Sequence, residues 1–188
     1  MSKRLEEILM DSPIIAAVRN EEDLERVIKS DVDVVFVLYG NIMSIGKIYR
    51  RLQEASKLVF IHVDMVDGLK GDQSGIEYIK NLGDNLGIIT TKQNNIKYGK
   101  QLGLYTILRI FIVDSLSLQT GIKNLQAVLP DGVEVMPGAA NKIIKTIRKQ
   151  INIPIIAGGL IEEKKEVIEA IGAGAMAIST TRDALWNL

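Results

Sequence analysis

Residues 153–181 read IPIIAGGLIEEKKEVIEAIGAGAMAISTT. A short run of Ile and Ala ends in Gly158-Gly159, a charged segment of helical period follows, and a second apolar run over 175–179 ends in Ser179, Thr180 and Thr181. Apolar runs without polar alternation suit strands buried on both faces of a parallel sheet. Parallel neighbours need a crossover between them, which the helical segment provides. The stretch is therefore one strand, a glycine turn, a helix and a second strand.

The same unit recurs back to the N-terminus. Apolar, β-branched runs cover 14–18, 34–38, 58–63, 86–91, 105–111 and 133–136 as well as 153–157 and 175–179, and successive runs start 19 to 28 residues apart. That spacing holds a strand, a short loop and a helix of about three turns. Segments 122–129, 143–151 and 167–171 have the amphipathic helical period. Eight strands is the number at which such a sheet closes, so the chain is expected to be an α/β protein, a compact (β/α)8 barrel of TIM type, with 1–188 as a single domain. An open doubly wound sheet would use the same alternation, but no GxGxxG follows the first strand. At 188 residues the barrel must have short loops.

Composition narrows the function. Hydrophobic residues make up 47% and charged residues 24%, enough for a buried core and a charged surface. Lys plus Arg and Asp plus Glu each number 23, so no global positive charge draws the chain to nucleic acid, and any such contact needs a local patch. Without cysteine there is no disulfide, thiolate nucleophile or Cys-ligated zinc, and a single histidine argues against a His-rich metal site. Residues 1–11 form a charged helical pattern and not a signal peptide, and no run is long enough to span a membrane. A cytoplasmic location is expected.

In barrels of this kind the chemistry gathers at the C-terminal ends of the strands. There the sequence places Arg19 after strand 1, His62 and Asp64 at the end of strand 3, Thr90 and Lys92 at the end of strand 4, Arg109 at the end of strand 5 and Glu134 inside strand 6. Residues two apart on a strand face one way, so His62 with Asp64, and Thr90 with Lys92, are expected to share the mouth. Gly158-Gly159 after strand 7, with Gly174 and Ser179-Thr180 around strand 8, read as a phosphate cradle. Glycine lets backbone N–H groups approach an anion, and the following helix N-terminus adds donors. A carboxylate within a buried strand needs a cation or ligand hydroxyls, which makes Lys92 and Arg109 the expected partners of Glu134. Lys142, Lys145 and Lys149 form a basic stripe on the helix after strand 6, a candidate RNA contact, while the run Glu162–Glu166 reads as a solvated helix start.

Several blocks, in order and spacing, carry a resemblance: HVDMVDGLK at 62–70, GIITTK at 87–92, RIFIVDS at 109–115, VEVMPG at 133–138, IPIIAGGLI at 153–161 and GAGAMAISTT at 172–181, followed by Leu185-Trp186. In these blocks the chain resembles the glycerol uptake operon antiterminator regulatory proteins, which respond to glycerol 3-phosphate. The glycine blocks are common to phosphate-binding barrels, whereas the blocks at 62–70 and 109–115 are more specific. The resemblance implies a regulator without a cofactor: with glycerol 3-phosphate bound as effector, it acts on leader mRNA of glycerol-utilisation genes so that transcription passes a terminator. Gly158, Gly159, Ser179 and Thr180 would take the phosphate, and Arg19, His62, Asp64, Lys92, Arg109 and Glu134 the glycerol end.

A second class of function stays open on the residues alone. Lys92 as a Schiff-base amine, with Glu134 or Asp64 moving the proton, would make a phosphosugar aldolase or isomerase. The oligomeric state is not legible.

Overall fold

The computed structural model describes residues 4–188. All eight expected runs form strands: β1 (Ile14–Val18), β2 (Val34–Val37), β3 (Leu58–His62), β4 (Leu86–Thr90), β5 (Tyr105–Phe111), β6 (Gly132–Met136), β7 (Ile155–Gly158) and β8 (Ala177–Thr180). Helix α1 (Leu5–Asp11) precedes β1, and α2 (Glu21–Ile28), α3 (Ile45–Glu54), α4 (Gln73–Lys80), α5 (Gln93–Gln101), α6 (Ser115–Val128), α7 (Asn141–Arg148) and α8 (Lys164–Gly172) form the crossovers. Every strand pairs in parallel with its chain neighbours, and β8 pairs back onto β1, with Ile15 beside Ser179. The result is a closed (β/α)8 TIM barrel.

Some boundaries differ from the sequence expectation for local reasons. β7 begins two residues late because Pro154 has no N–H to give a ladder. The helices are shorter than three turns except α6, which has 14 residues and starts well before the 122–129 stripe. The N-terminal helix expected over 1–11 begins at Leu5, with residues 1–3 outside the described part of the chain. Helix starts follow the polar residue ahead of them: Asn20, Asp72 and Asp114 each accept the backbone N–H three residues on, which supplies the donors an open helix end leaves unpaired.

Two apolar layers hold the barrel. Between strands and helices lie the outward strand residues, such as Val35, Ile61, Ile88 and Ile178, packed against Leu24, Leu52, Ile76 and Ile144 of the helices. Inside the barrel the alternate residues meet: Ile15, Val34, Phe36, Phe60, Ile89, Ile107, Ile156 and Ala177, closed off by Leu5 and Leu9 of α1. Phe36 and Phe60 stack edge to face at 5.5 Å, and a Cβ at Gly87 on β4 would stand 2.3 Å from the Phe60 ring, so the small residue there makes room for the large one. Towards the C-terminal ends this inward set turns polar.

Candidate functional site

The alternation that points Ile107 and Ile156 inward also points Arg109, Glu134 and Ser179 inward, one layer higher. Arg109 and Glu134 are register partners on neighbouring strands, and Arg109 Nε donates to Glu134 Oε2 at 2.5 Å. The other oxygen, Oε1, accepts the Ser179 hydroxyl at 2.6 Å. All three side chains are buried. Each carboxylate oxygen thus has a partner, which is what a charge inside a barrel requires. Arg109, one of the two expected cations, is the partner of Glu134.

Above this floor opens a cavity of about 450 Å³, lined by Arg19, Arg109, Glu134, Gly159, Ser179 and Thr181 among others. The loop after β7 turns back at Gly159 (φ 76°) and Leu160 (φ 58°). Its turn is fixed from one side by Gly138, whose N–H donates to Gly158 O at 2.6 Å and Gly159 O at 3.1 Å. From the other side the Thr180 hydroxyl donates to Ile161 O at 3.0 Å and accepts from the Arg182 N–H at 3.1 Å. One hydroxyl therefore ties the loop after β7 to the loop after β8, and Trp186 Nε1 anchors the latter on Thr180 O at 3.0 Å. Thr180 joins the two halves of the mouth; its hydroxyl is already engaged.

Three parts of the expected cradle are placed elsewhere. Gly158 is an inward strand residue whose missing side chain admits the Glu134 carboxylate: a Cβ there would lie 2.5 Å from Oε1 and 2.7 Å from Ser179 Oγ. Gly174 (φ 110°) follows α8, at the opposite end of the barrel from the mouth, and faces Arg148. The start of α8 carries a capping box: the Glu166 carboxylate accepts the N–H groups of Glu162 and Glu163, just ahead of the helix, at 2.7 and 3.0 Å, and the Glu163 side chain accepts the Glu166 N–H. These two carboxylates place negative charge at the helix start that the sequence offered to an anion.

Asp64 and Lys92 also depart from the expectation. β3 ends at His62, and Val63–Met65 form a 3-10 turn, so the two-residue alternation lapses before Asp64. Its carboxylate turns to β4, where Oδ2 accepts from Thr90 Oγ1 at 2.9 Å, Thr91 N at 2.7 Å and Thr91 Oγ1 at 3.1 Å. Burial would raise this carboxyl, but those hydrogen bonds outweigh it and hold it below the usual carboxylate range. Lys92 caps α5 and its ammonium stands 3.5 Å from Asp64 Oδ1, with the side chain 57% exposed. Glu134 is satisfied by Arg109 and Ser179, so Lys92 is not its partner.

His62 does continue the inward set of β3. It is 3% exposed, and its Nδ1 is buried without a hydrogen-bond partner. Burial, then the Arg109 charge, push its pKa down to about 4 against the pull of Asp64, so the ring is neutral near pH 7 and can donate from one nitrogen and accept at the other. Arg19 stands exposed at the rim, its backbone N–H bound to Asp23 Oδ2 at 3.0 Å.

Two mouth residues escaped the sequence reading. Arg182 lines the cavity and pairs with Glu162 at 2.8 Å; a cation directly after Ser-Thr-Thr was the available signal. Gly138 lies in the VEVMPG block, but only the fold shows that a Cβ there would come within 2.6 Å of Gly158 N. Lys142, Lys145 and Lys149 are exposed on the outer wall, and none of them lines the mouth cavity. Among the described residues no cluster of three or more His, Asp or Glu is placed to hold a metal, and no helix is long and apolar enough to cross a membrane.

The family described as glycerol-3-phosphate responsive antiterminator matches residues 14–186. The chain is 36% identical over 181 residues to the uncharacterized protein YgcP of Escherichia coli, covering 96% of this chain and 95% of that one. It superposes on the glycerol uptake operon antiterminator regulatory protein of Listeria monocytogenes with a TM-score of 0.89 and 33% identity, over 92% of this chain and 94% of the other. A glycerol uptake operon antiterminator-related protein of Thermotoga maritima gives 0.84 and 34%, over 94% and 99%. Several barrel aldolases also superpose, at 16% identity or less, a likeness of fold alone.

Proposed function

The chain belongs to the glycerol-3-phosphate responsive antiterminator family, and from that premise we propose that it binds glycerol 3-phosphate at the barrel mouth and, so loaded, acts on leader mRNA of glycerol-utilisation genes in the cytoplasm. One observation carries the reading: two loops tied together by Thr180 open over a buried Arg109–Glu134–Ser179 floor. The loops around Gly159 and after Ser179 suit a phosphate, with Arg19 and Arg182 at the rim adding positive charge. Glu134 suits the glycerol hydroxyls, because a carboxylate accepts from them, while His62, buried and outside the cavity lining, supports the floor near Arg109. Gly158 supports this arrangement by leaving room for it, while Asp64 and Lys92 order the β3 and β4 ends beside the mouth.

The protein acts as a regulator and not as an enzyme in this reading. A Schiff-base aldolase would need an amine within the cavity, and Lys92 stands outside it beside Asp64. Effector binding alters RNA affinity through whatever difference the ligand makes between conformations. Calorimetry with glycerol 3-phosphate and with glycerol, followed by titration of leader RNA in the presence and absence of the phosphate ester, tests both halves. Glycerol should bind at least about a hundredfold more weakly, since charge-assisted hydrogen bonds to phosphate are the strong ones. Equal affinities would refute the phosphate site, and RNA binding indifferent to the ester would refute the effector role.

A further inference from the structure

Zero net charge conceals a division of the chain. Residues 92–151 hold nine Lys and Arg against three Asp and Glu, and the rest of the chain carries the matching acidic excess. Of those three acids, Glu134 is neutralised inside the barrel by Arg109, Asp131 accepts from the Thr106 N–H and hydroxyl, and Asp114 caps α6. Helices α5, α6 and α7 contain no acidic residue at all, whereas α1 to α4 and α8 each contain at least one. Because the strands follow one another around the ring, these three helices are consecutive on the outer wall.

Lys97, Lys123, Lys142, Lys145, Arg148 and Lys149 are all exposed there, and among the described residues none forms an ion pair. Around the rest of the ring several cations are paired, as Arg51 of α3 is by Glu21 and Glu25 and Arg26 of α2 is by Glu22 and Asp23. A wall of unpaired like charges repels itself and is relieved by a polyanion. Exposed Gln101, Gln119, Thr120 and Gln126 stand between the cations and add directional hydrogen bonds.

We infer that the wall formed by α5, α6 and α7 is the surface that takes the RNA phosphate backbone, an assignment that rests on the RNA-binding function proposed above. RNA fits better than a lipid surface, because amides and hydroxyls among the lysines can meet ribose 2′-hydroxyl groups and base edges as well as phosphates. The wall also adjoins the effector site. Arg109 lies on β5 and Glu134 on β6, the strands that lead into α6 and α7.

The test uses the full chain with glycerol 3-phosphate present and two labelled probes, poly(U) and a leader RNA, read by anisotropy across a salt series. One variant changes Lys97, Lys123, Lys142, Lys145 and Lys149 to Gln; a charge-matched control changes Lys29, Lys47, Lys70, Lys164 and Lys165, which are also exposed. The first should weaken both RNAs at least about tenfold and reduce the log–log salt slope by about 0.7 for each phosphate that is no longer neutralised, while the control stays within about twofold. Calorimetry with glycerol 3-phosphate should be unchanged in both, which verifies folding. Undiminished RNA binding by the first variant, with wild type binding, overturns this surface and leaves the function standing. If wild type binds neither RNA, the function falls and the surface with it, and binding of polyglutamate in place of RNA would reassign the wall to an acidic protein.

Discussion

Glu134 and Ser179 lie on strands that are not neighbours, β6 and β8, yet the Ser179 hydroxyl reaches Glu134 Oε1 at 2.6 Å across Gly158 of β7. The bond exists because the residue between them has no side chain. Gly158→Ala should therefore push a methyl group into the carboxylate, destabilise the fold by about 1–3 kcal/mol and weaken effector binding. Urea unfolding and calorimetry on the same sample check both effects. Wild-type values for both would mean that the floor relaxes freely and that its geometry does not set affinity.

The Arg109–Glu134 pair should respond asymmetrically to truncation. Glu134→Ala leaves a guanidinium buried without its partner, at about 3–5 kcal/mol, while Glu134→Gln keeps an acceptor for Arg109 and should cost less. Replacing both by Met and Leu should recover much of the lost stability but none of the effector binding. The double-mutant cycle from denaturant midpoints decides this, and additive losses would mean that the two charges do not depend on each other.

These interactions show what was legible in the sequence. Strand positions followed from continuous β-branched runs, and the inward set followed at Arg109 and Glu134, but not on β4, where Ile89 faces inward and Thr90, expected at the mouth, shares the outward face of Ile88 and meets Asn95 of α5. Elsewhere legibility ended where the strand did. Asp64 and Lys92 are each two residues past an expected inward position, but each lies beyond the last ladder residue, where a 3-10 turn and a helix cap set the direction instead. Gly158 was readable as a special position, but sequence could not say whether a backbone or a neighbouring side chain used the space. Thr180 was readable as a polar strand end, yet its parity sends the hydroxyl to Ile161.

His62 makes stability depend on pH in a definite direction. Its pKa is about 4 in the fold against 6.5 for the free side chain, so between those values the unfolded chain binds the extra proton. Its contribution is then fully present above about pH 6.5 and is lost as pH falls towards 4, a change on the order of 3 kcal/mol. His62→Gln should flatten the stability profile over that window. Denaturant midpoints at several pH values compare the two, and a parallel loss in the variant would assign the acid sensitivity to carboxylates.

Lys92 separates the regulator from the enzyme. Its ammonium is 3.5 Å from Asp64 Oδ1 and lies outside the mouth cavity, so in a regulator it has a local, charge-holding part beside the β4 end. Arg keeps that charge and pairs with a carboxylate at least as well, so Lys92→Arg should retain glycerol 3-phosphate affinity within about threefold. A Schiff-base enzyme could not survive the same change, because carbonyl attack needs an amine that can lose its proton and a guanidinium stays charged. Incubation of the wild-type protein with triose phosphates and borohydride, followed by intact-mass measurement, should therefore show no added mass. A stable adduct that maps to Lys92 and is missing from the Arg variant would require the side chain to swing from Asp64 into the cavity, and would make the barrel an aldolase.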